Sequence, residues 1–171
     1  MVTSIENKLP GTSKVWVYQS ARKLTTGESG TIRNKVKDFV SNWTSHKIGV
    51  VADGDILFDL FIVLMADEAK VGVSGCSIDS SVHFVKALEH EYRTNFFDRW
   101  NIAYEKGSQI FCCNKNEFEE LVSTGEIKDE TFVFNNLVNN KDDFETRWKI
   151  PYSQSWLKSL RSSNTSFNSI L

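Results

Sequence analysis

The sequence predicts an α+β domain, a mainly antiparallel sheet with helices packed on it, and three observations lead there. Runs rich in β-branched and aromatic residues fall in neighbouring pairs split by turn residues, which is how hairpins read. Capping boxes stand ahead of stripes of helical period. Helices alternate with hairpins rather than with single strands, so the order becomes β-α-β-β-α-β-β-α-β followed by C-terminal helices. The 171 residues fit one domain over 1–160, with 161–171 as a tail.

Lys14 to Ser20 reads as a strand covered on both sides, with Val15 and Val17 on one face and Trp16 and Tyr18 on the other. Thr25-x-x-Glu28 then caps a helix carrying Ile32, Val36, Phe39, Val40 and Trp43, expected to end near Ser45. Ile48 to Ala52 and Ile56 to Ala66 are β-like runs, with Asp53-Gly54-Asp55 predicted as the hairpin turn between them. Asp59 interrupts the second run. On a period-two reading it is either a buried carboxylate needing a partner or an edge residue reaching water, and the second is preferred.

The stretch Ser74-Gly75-Cys76-Ser77-Ile78-Asp79-Ser80-Ser81-Val82-His83 sets chemically useful side chains beside a helix start. Ile78, Val82, Val85, Leu88 and Tyr92 form its predicted apolar stripe. Cys76, Ser80, His83 and Ala87 fall on the opposite side, with Asp79 on their flank. A thiol at a helix N-terminus meets unpaired amides and the positive end of the dipole, so Cys76 is a candidate nucleophile. His83 lies about 10 Å further along the axis, at about 1.5 Å per residue, too far to activate that thiol directly. Capping and packing form the competing reading of Cys76, and a plain helix position that of His83.

A second hairpin is expected from Ile102 to Glu105 and Gln109 to Cys113 about Lys106-Gly107-Ser108, with one of Cys112 and Cys113 inward and the other outward. Asn114-x-x-Glu117 caps a short helix that Gly125 stops. A strand over Thr131 to Val138 fades at Asn135-Asn136. After a polar break, short helices hold Phe144 and Trp148 and then Trp156, and the Ser- and Asn-rich tail from Arg161 is expected to be disordered.

Composition narrows the function. Twenty Lys and Arg against twenty-two Asp and Glu give a net charge of -2, and no basic stripe follows a phosphate backbone, so nucleic acid is not expected as a partner. No apolar run approaches the ~20 residues that cross a bilayer, and the first residues lack the basic and apolar parts of a signal peptide. Three cysteines, two of them adjacent, argue for a reducing cytoplasm and against a disulfide framework. The three histidines are scattered and Cys112-Cys113 lacks a second ligand pair, so neither a metal nor another cofactor is expected.

Read together, Trp16-Val17-Tyr18-Gln19, Arg22-Lys23-Leu24-Thr25, Ser74 to Phe84, Phe97-Asp98-Arg99 and Val133-Phe134-Asn135-Asn136-Leu137-Val138 resemble a family of short bacterial proteins that circulate under the label "ABC transporter ATPase". The likeness covers roughly Leu9 to Trp156. It implies no settled activity and at most an accessory role beside a transporter. ATP hydrolysis is excluded by the residues, because no Gly-x-x-x-x-Gly-Lys-Ser/Thr loop is present to cradle phosphates.

The expectation is therefore a non-catalytic domain that binds a small molecule or a protein. Its expected site is the loop 67–75 with the helix start, using Ser74, Gly75, Ser77, Asp79 and Ser80, and Arg22, Lys23 and Arg99 as nearby positive charge. A thiol enzyme built on Cys76 and His83 is the alternative. A structural subunit docking through the aromatic segment Trp148 to Trp156 is the third reading.

Overall fold

The computed structural model describes residues 9–45, 48–67 and 75–159, with the side chains of Ser45, Ile48 and residues 75–77 outside that description. The α+β class holds, and the strands divide among separate antiparallel sheets. Two compact units emerge, the first from residues up to Asp98 plus Asn136–Thr146, the second from Arg99–Asn135 plus the residues from Arg147 onward.

In the first unit, β1 (Lys14–Gln19), β4 (Val51–Leu57) and β5 (Phe61–Asp67) form a sheet in the order β1-β5-β4. β5 is central and all seven of its residues are buried, as its unbroken apolar run requires. Helix α1 (Thr26–Asn42) starts where its sequence says: Glu28 N–H donates to the Thr25 hydroxyl at 3.2 Å, and Thr25 N–H donates to the Glu28 carboxylate at 2.8 Å. Ile32, Val36 and Val40 of α1 pack with Ile56, Ile62 and Leu64 of the sheet and with Val85 and Leu88 of α2 (Gly75–Tyr92). Phe39 of α1 stacks on Phe84 of α2 with ring centres 4.4 Å apart. A short ribbon of β2 (Thr44–Ser45) and β3 (Ile48–Gly49) precedes β4.

The predicted turn at Asp53-Gly54-Asp55 is instead straight strand within β4. The chain reverses at Phe58-Asp59, both at positive φ (57° and 56°), with Leu60 N–H donating to Leu57 O at 3.0 Å. Two successive positive φ values match the twist of a hairpin, which is why this turn works without glycine at some strain. Gly54 serves a different purpose: a Cβ there would lie 2.9 Å from each of Val36 Cγ1, Leu64 Cδ2 and the Val63 carbonyl oxygen. α1 crosses the sheet too closely for a side chain. Asp59 is a turn residue, half-exposed as preferred. The buried carboxylate is Asp55, held by Arg33 Nε at 2.6 Å and by the Ile56 N–H at 2.7 Å.

The segment Asn136–Thr146 returns to the first unit along the free edge of β1. Val15 N–H donates to Asn139 O at 3.1 Å and Lys141 N–H to Ser13 O at 2.9 Å, a short antiparallel pairing about Lys14 and Asn140. Helix α4 (Lys141–Arg147) begins there, and the buried Lys141 ammonium donates to Leu9 O at 2.8 Å.

In the second unit, β6 (Ile102–Lys106) and β7 (Gln109–Cys113) form the predicted hairpin. Gly107, at φ +64°, occupies the first place of its two-residue turn. β8 (Phe132–Phe134) and β9 (Lys149–Pro151) complete the order β7-β6-β8-β9. The strand expected over Thr131 to Val138 stops at Phe134, just ahead of Asn135. Helix α3 (Lys115–Ser123) has its Asn114/Glu117 capping box, and Gly125 ends it at φ +77°. Ile102, Tyr104, Phe118, Val133, Tyr152 and Leu157 make the core. The predicted last helix is a 3-10 turn over Tyr152–Gln154 and a helical turn from Leu157. Trp148 is 2% exposed, so no docking surface can run through it. The tail from 161 lies outside the described residues.

Candidate functional site

Helix α2 starts at Gly75, close to the expected start, which puts Cys76 and Ser77 in its first turn. Their side chains, Ser74 and the loop 68–74, which make up most of the expected site, lie outside the described residues. Asp79 and His83 are exposed and Ser80 is half-buried. The stripe that α2 buries is Ser81, Val85 and Leu88, flanked by Phe84 and Tyr92. This is a correction to the predicted stripe, because Ile78 is 36% exposed. Ser81 takes the core-facing place instead: its hydroxyl donates to Ile78 O at 2.7 Å and is hydrogen-bonded to the buried Tyr18, so this polar group is buried with partners. Burial raises the Tyr18 phenol above its ordinary pKa, with the Ser81 hydrogen bond acting the other way.

Ile78 faces a groove of about 570 Å³ that sequence reasoning did not single out. Its walls are Lys14 to Tyr18 of β1, Asn136 to Asn139, and Ile78, so the groove lies wholly within the first unit. It exists because the outer edge of β1 is only half covered. Side-by-side partners alternate along a strand, and the Val15 N–H that reaches Asn139 fixes Val15, Val17 and Gln19 as the residues whose backbone points outward. The returning segment pairs with Val15 and then bends away through Leu137, which is 63% exposed. Among the described residues, the outward N–H and C=O of Val17 have no backbone partner. The amide of Asn136 donates to Gln19 Oε1 at 2.7 Å and closes the far end.

Charge enters the groove through Lys14, which is exposed and pairs with no carboxylate among the described residues. Arg22, expected to supply charge near the α2 start, is committed elsewhere: its guanidinium grips Glu28 and donates to Tyr92 O at 2.8 Å. Lys23 and Arg99 are exposed. Of the described thiols, Cys113 is buried and pushed up to about 12, chiefly by desolvation and then by Glu117, and Cys112 is half-buried. No group of three His, Cys, Asp or Glu able to hold a metal occurs among the described residues.

The groove residues were hidden in the sequence because an open strand edge is a property of neighbours, not of the strand. The one signal was Asn135-Asn136, a break that marks where the chain leaves its ladder. Compared with known proteins, the chain matches no family model, no curated protein and no solved structure.

Proposed function

We infer that the protein is a non-catalytic binding domain of a reducing cytoplasm whose ligand occupies the groove along the outer edge of β1. The supporting observation is the backbone of Val17, without a partner among the described residues, inside a groove with apolar walls and one uncompensated lysine. Concave sites of this size, mostly apolar with a few fixed polar groups, are where ligands bind. The first turn of α2, where the sequence places its candidate residues, borders this groove through Ile78. No described helix is long and apolar enough to cross a membrane. The family resemblance adds an accessory role beside a transporter, without ATP hydrolysis, to the same proposal.

The test is an amide-resolved NMR titration with a panel of small metabolites and short peptides. Shifts clustered at Val15 to Tyr18, Ile78 and Asn136 to Asn139 support the reading; a panel that moves none of these amides removes it. A thiol-dependent activity at Cys76 is the second reading, and it rests on that residue lying in the first turn of α2. It requires Cys76 to alkylate at neutral pH much faster than Cys112 and Cys113.

A further inference from the structure

We propose that the occupant of this groove is a small 2-hydroxy acid with a branched apolar side chain, an inference that names the ligand class of the reading above and rests on the groove being the ligand site. The opening in the edge of β1 is one residue long. Asn139 O takes the Val15 N–H on one side, and the Asn136 amide on Gln19 Oε1 closes the other. Between them, the outward N–H and C=O of Val17 have no partner among the described residues. A further strand has no edge to run along, so the occupant answers a single residue and stops.

That residue defines the polar end of the ligand. In an antiparallel ladder, whatever lies opposite a bonded residue offers a donor and an acceptor attached to adjacent carbons, as the N–H and C=O of one amino acid are. A 2-hydroxy acid has the same spacing: its hydroxyl donates to Val17 O, and a carboxylate oxygen accepts from the Val17 N–H. Because the N–H of Val17 precedes its C=O along the strand, the carboxylate lies toward the start of β1. Lys14 stands there on a flexible four-carbon stem, exposed and with no carboxylate beside it among the described residues. It is the one charge among the residues that line the groove, so a monoanion matches it. An amino acid would bring an ammonium with no carboxylate to meet it. The apolar walls take the side chain: Ile78 and Leu137, exposed at 36% and 63%, are the hydrocarbon it covers, beside Trp16 and Val138.

The probe is 2-hydroxy-4-methylpentanoate, titrated into the full-length labelled protein and followed by NMR. Beside it run 4-methylpentanoate, which lacks the hydroxyl, 2-hydroxy-4-methylpentanamide, which lacks the charge, and leucine, which carries an ammonium in place of the hydroxyl. The expected result is a downfield shift of the Val17 amide with the hydroxy acid, and an affinity above that of 4-methylpentanoate by roughly two- to tenfold, the worth of one hydrogen bond. Lys14→Met, at an exposed position that leaves the core intact, weakens the hydroxy acid several-fold and leaves the amide unchanged.

If 4-methylpentanoate or leucine binds as tightly as the hydroxy acid, or Lys14→Met binds the hydroxy acid unchanged, the 2-hydroxy acid is overturned while the groove stays the ligand site. Groove shifts with other metabolites or peptides and none with the hydroxy acid do the same. Sedimentation showing a dimer in which the Val17 amide is protected from exchange also overturns it, with a second copy as the occupant. Silence of the groove amides toward these probes and the wider panel removes both readings.

Discussion

Arg22 grips Glu28 through two N–H donors at 2.9 and 2.7 Å, and the same guanidinium reaches the last carbonyl of α2, Tyr92 O, at 2.8 Å. One side chain thus ties the start of α1 to the end of α2. Glu28 is held at about 2, below its ordinary 4.5, first by Arg22 and then by the Thr25 N–H.

A carboxylate whose folded pKa is depressed stabilises the fold above its unfolded value, and that contribution disappears as pH falls through the folded one. The stability difference between the native chain and Glu28→Gln is therefore full above about pH 4.5 and shrinks toward zero near pH 2. Urea midpoints for both proteins at pH 6, 4 and 3 measure it. Equal differences at all three would mean the Arg22 contact is too well hydrated to matter.

Thr25→Ala removes the side-chain acceptor at the head of α1 and is expected to cost about 1 kcal/mol, lowering Tm by roughly 2–4 °C. Thermal unfolding followed by circular dichroism gives the number.

Gly54→Ala and Gly30→Ala are expected to move stability in opposite directions. At Gly54 the new methyl meets α1, Leu64 and backbone at 2.9 Å, an overpacking cost of about 1–3 kcal/mol. At Gly30, inside α1, it meets nothing within 4 Å, so helix propensity alone acts and stabilises by up to about 1 kcal/mol. Denaturant titration of both variants decides; a Gly54→Ala protein as stable as the parent would contradict the close crossing.

Asp59→Gly is expected to stabilise by up to about 1 kcal/mol, because Asp59 sits at φ 56° where glycine carries no Cβ penalty. The Leu24 N–H that donates to Asp59 O at 2.8 Å is a backbone contact and survives the change. A destabilised variant would show that the Asp59 side chain contributes more than its strained backbone costs.

Iodoacetamide at neutral pH is expected to leave Cys113 almost unmodified in the native protein, since a buried thiol at about 12 offers almost no thiolate. Mass mapping of the labelled cysteines reports it, and also ranks Cys76.

Unfolding is expected as one transition over 1–160. Among the described residues, the first half of the outer edge of β1 in the first unit is covered by Asn139 to Lys141, which the chain reaches after passing through the second unit. Separate transitions for Trp43 in the first unit and Trp148 in the second, read from single-tryptophan variants, would overturn the single-domain expectation.

What could be read from the chain was short in range. Thr25 with Glu28, Asn114 with Glu117 and Gly107 between its strands act over four residues or fewer, and each element began or turned where they stand. Asp53-Gly54-Asp55 misled because its composition is that of a turn, while Gly54 is required by a helix some twenty residues away. Ile78 misled as well: Ser81, three residues on, is the one buried, hydrogen-bonded to Tyr18 of β1, a partner that the helical period cannot show.

By itself the sequence determined the α+β class, the caps of α1 and α3 and the β6–β7 hairpin, because those outcomes follow from local hydrogen bonding and side-chain period. Tertiary structure alone decided that β1 lies at an edge, that residues 139–141 cover only its first half, and hence that Val17 faces a groove. An open edge is created by which distant segments do and do not arrive beside a strand, and no residue of that strand encodes its neighbours' absence.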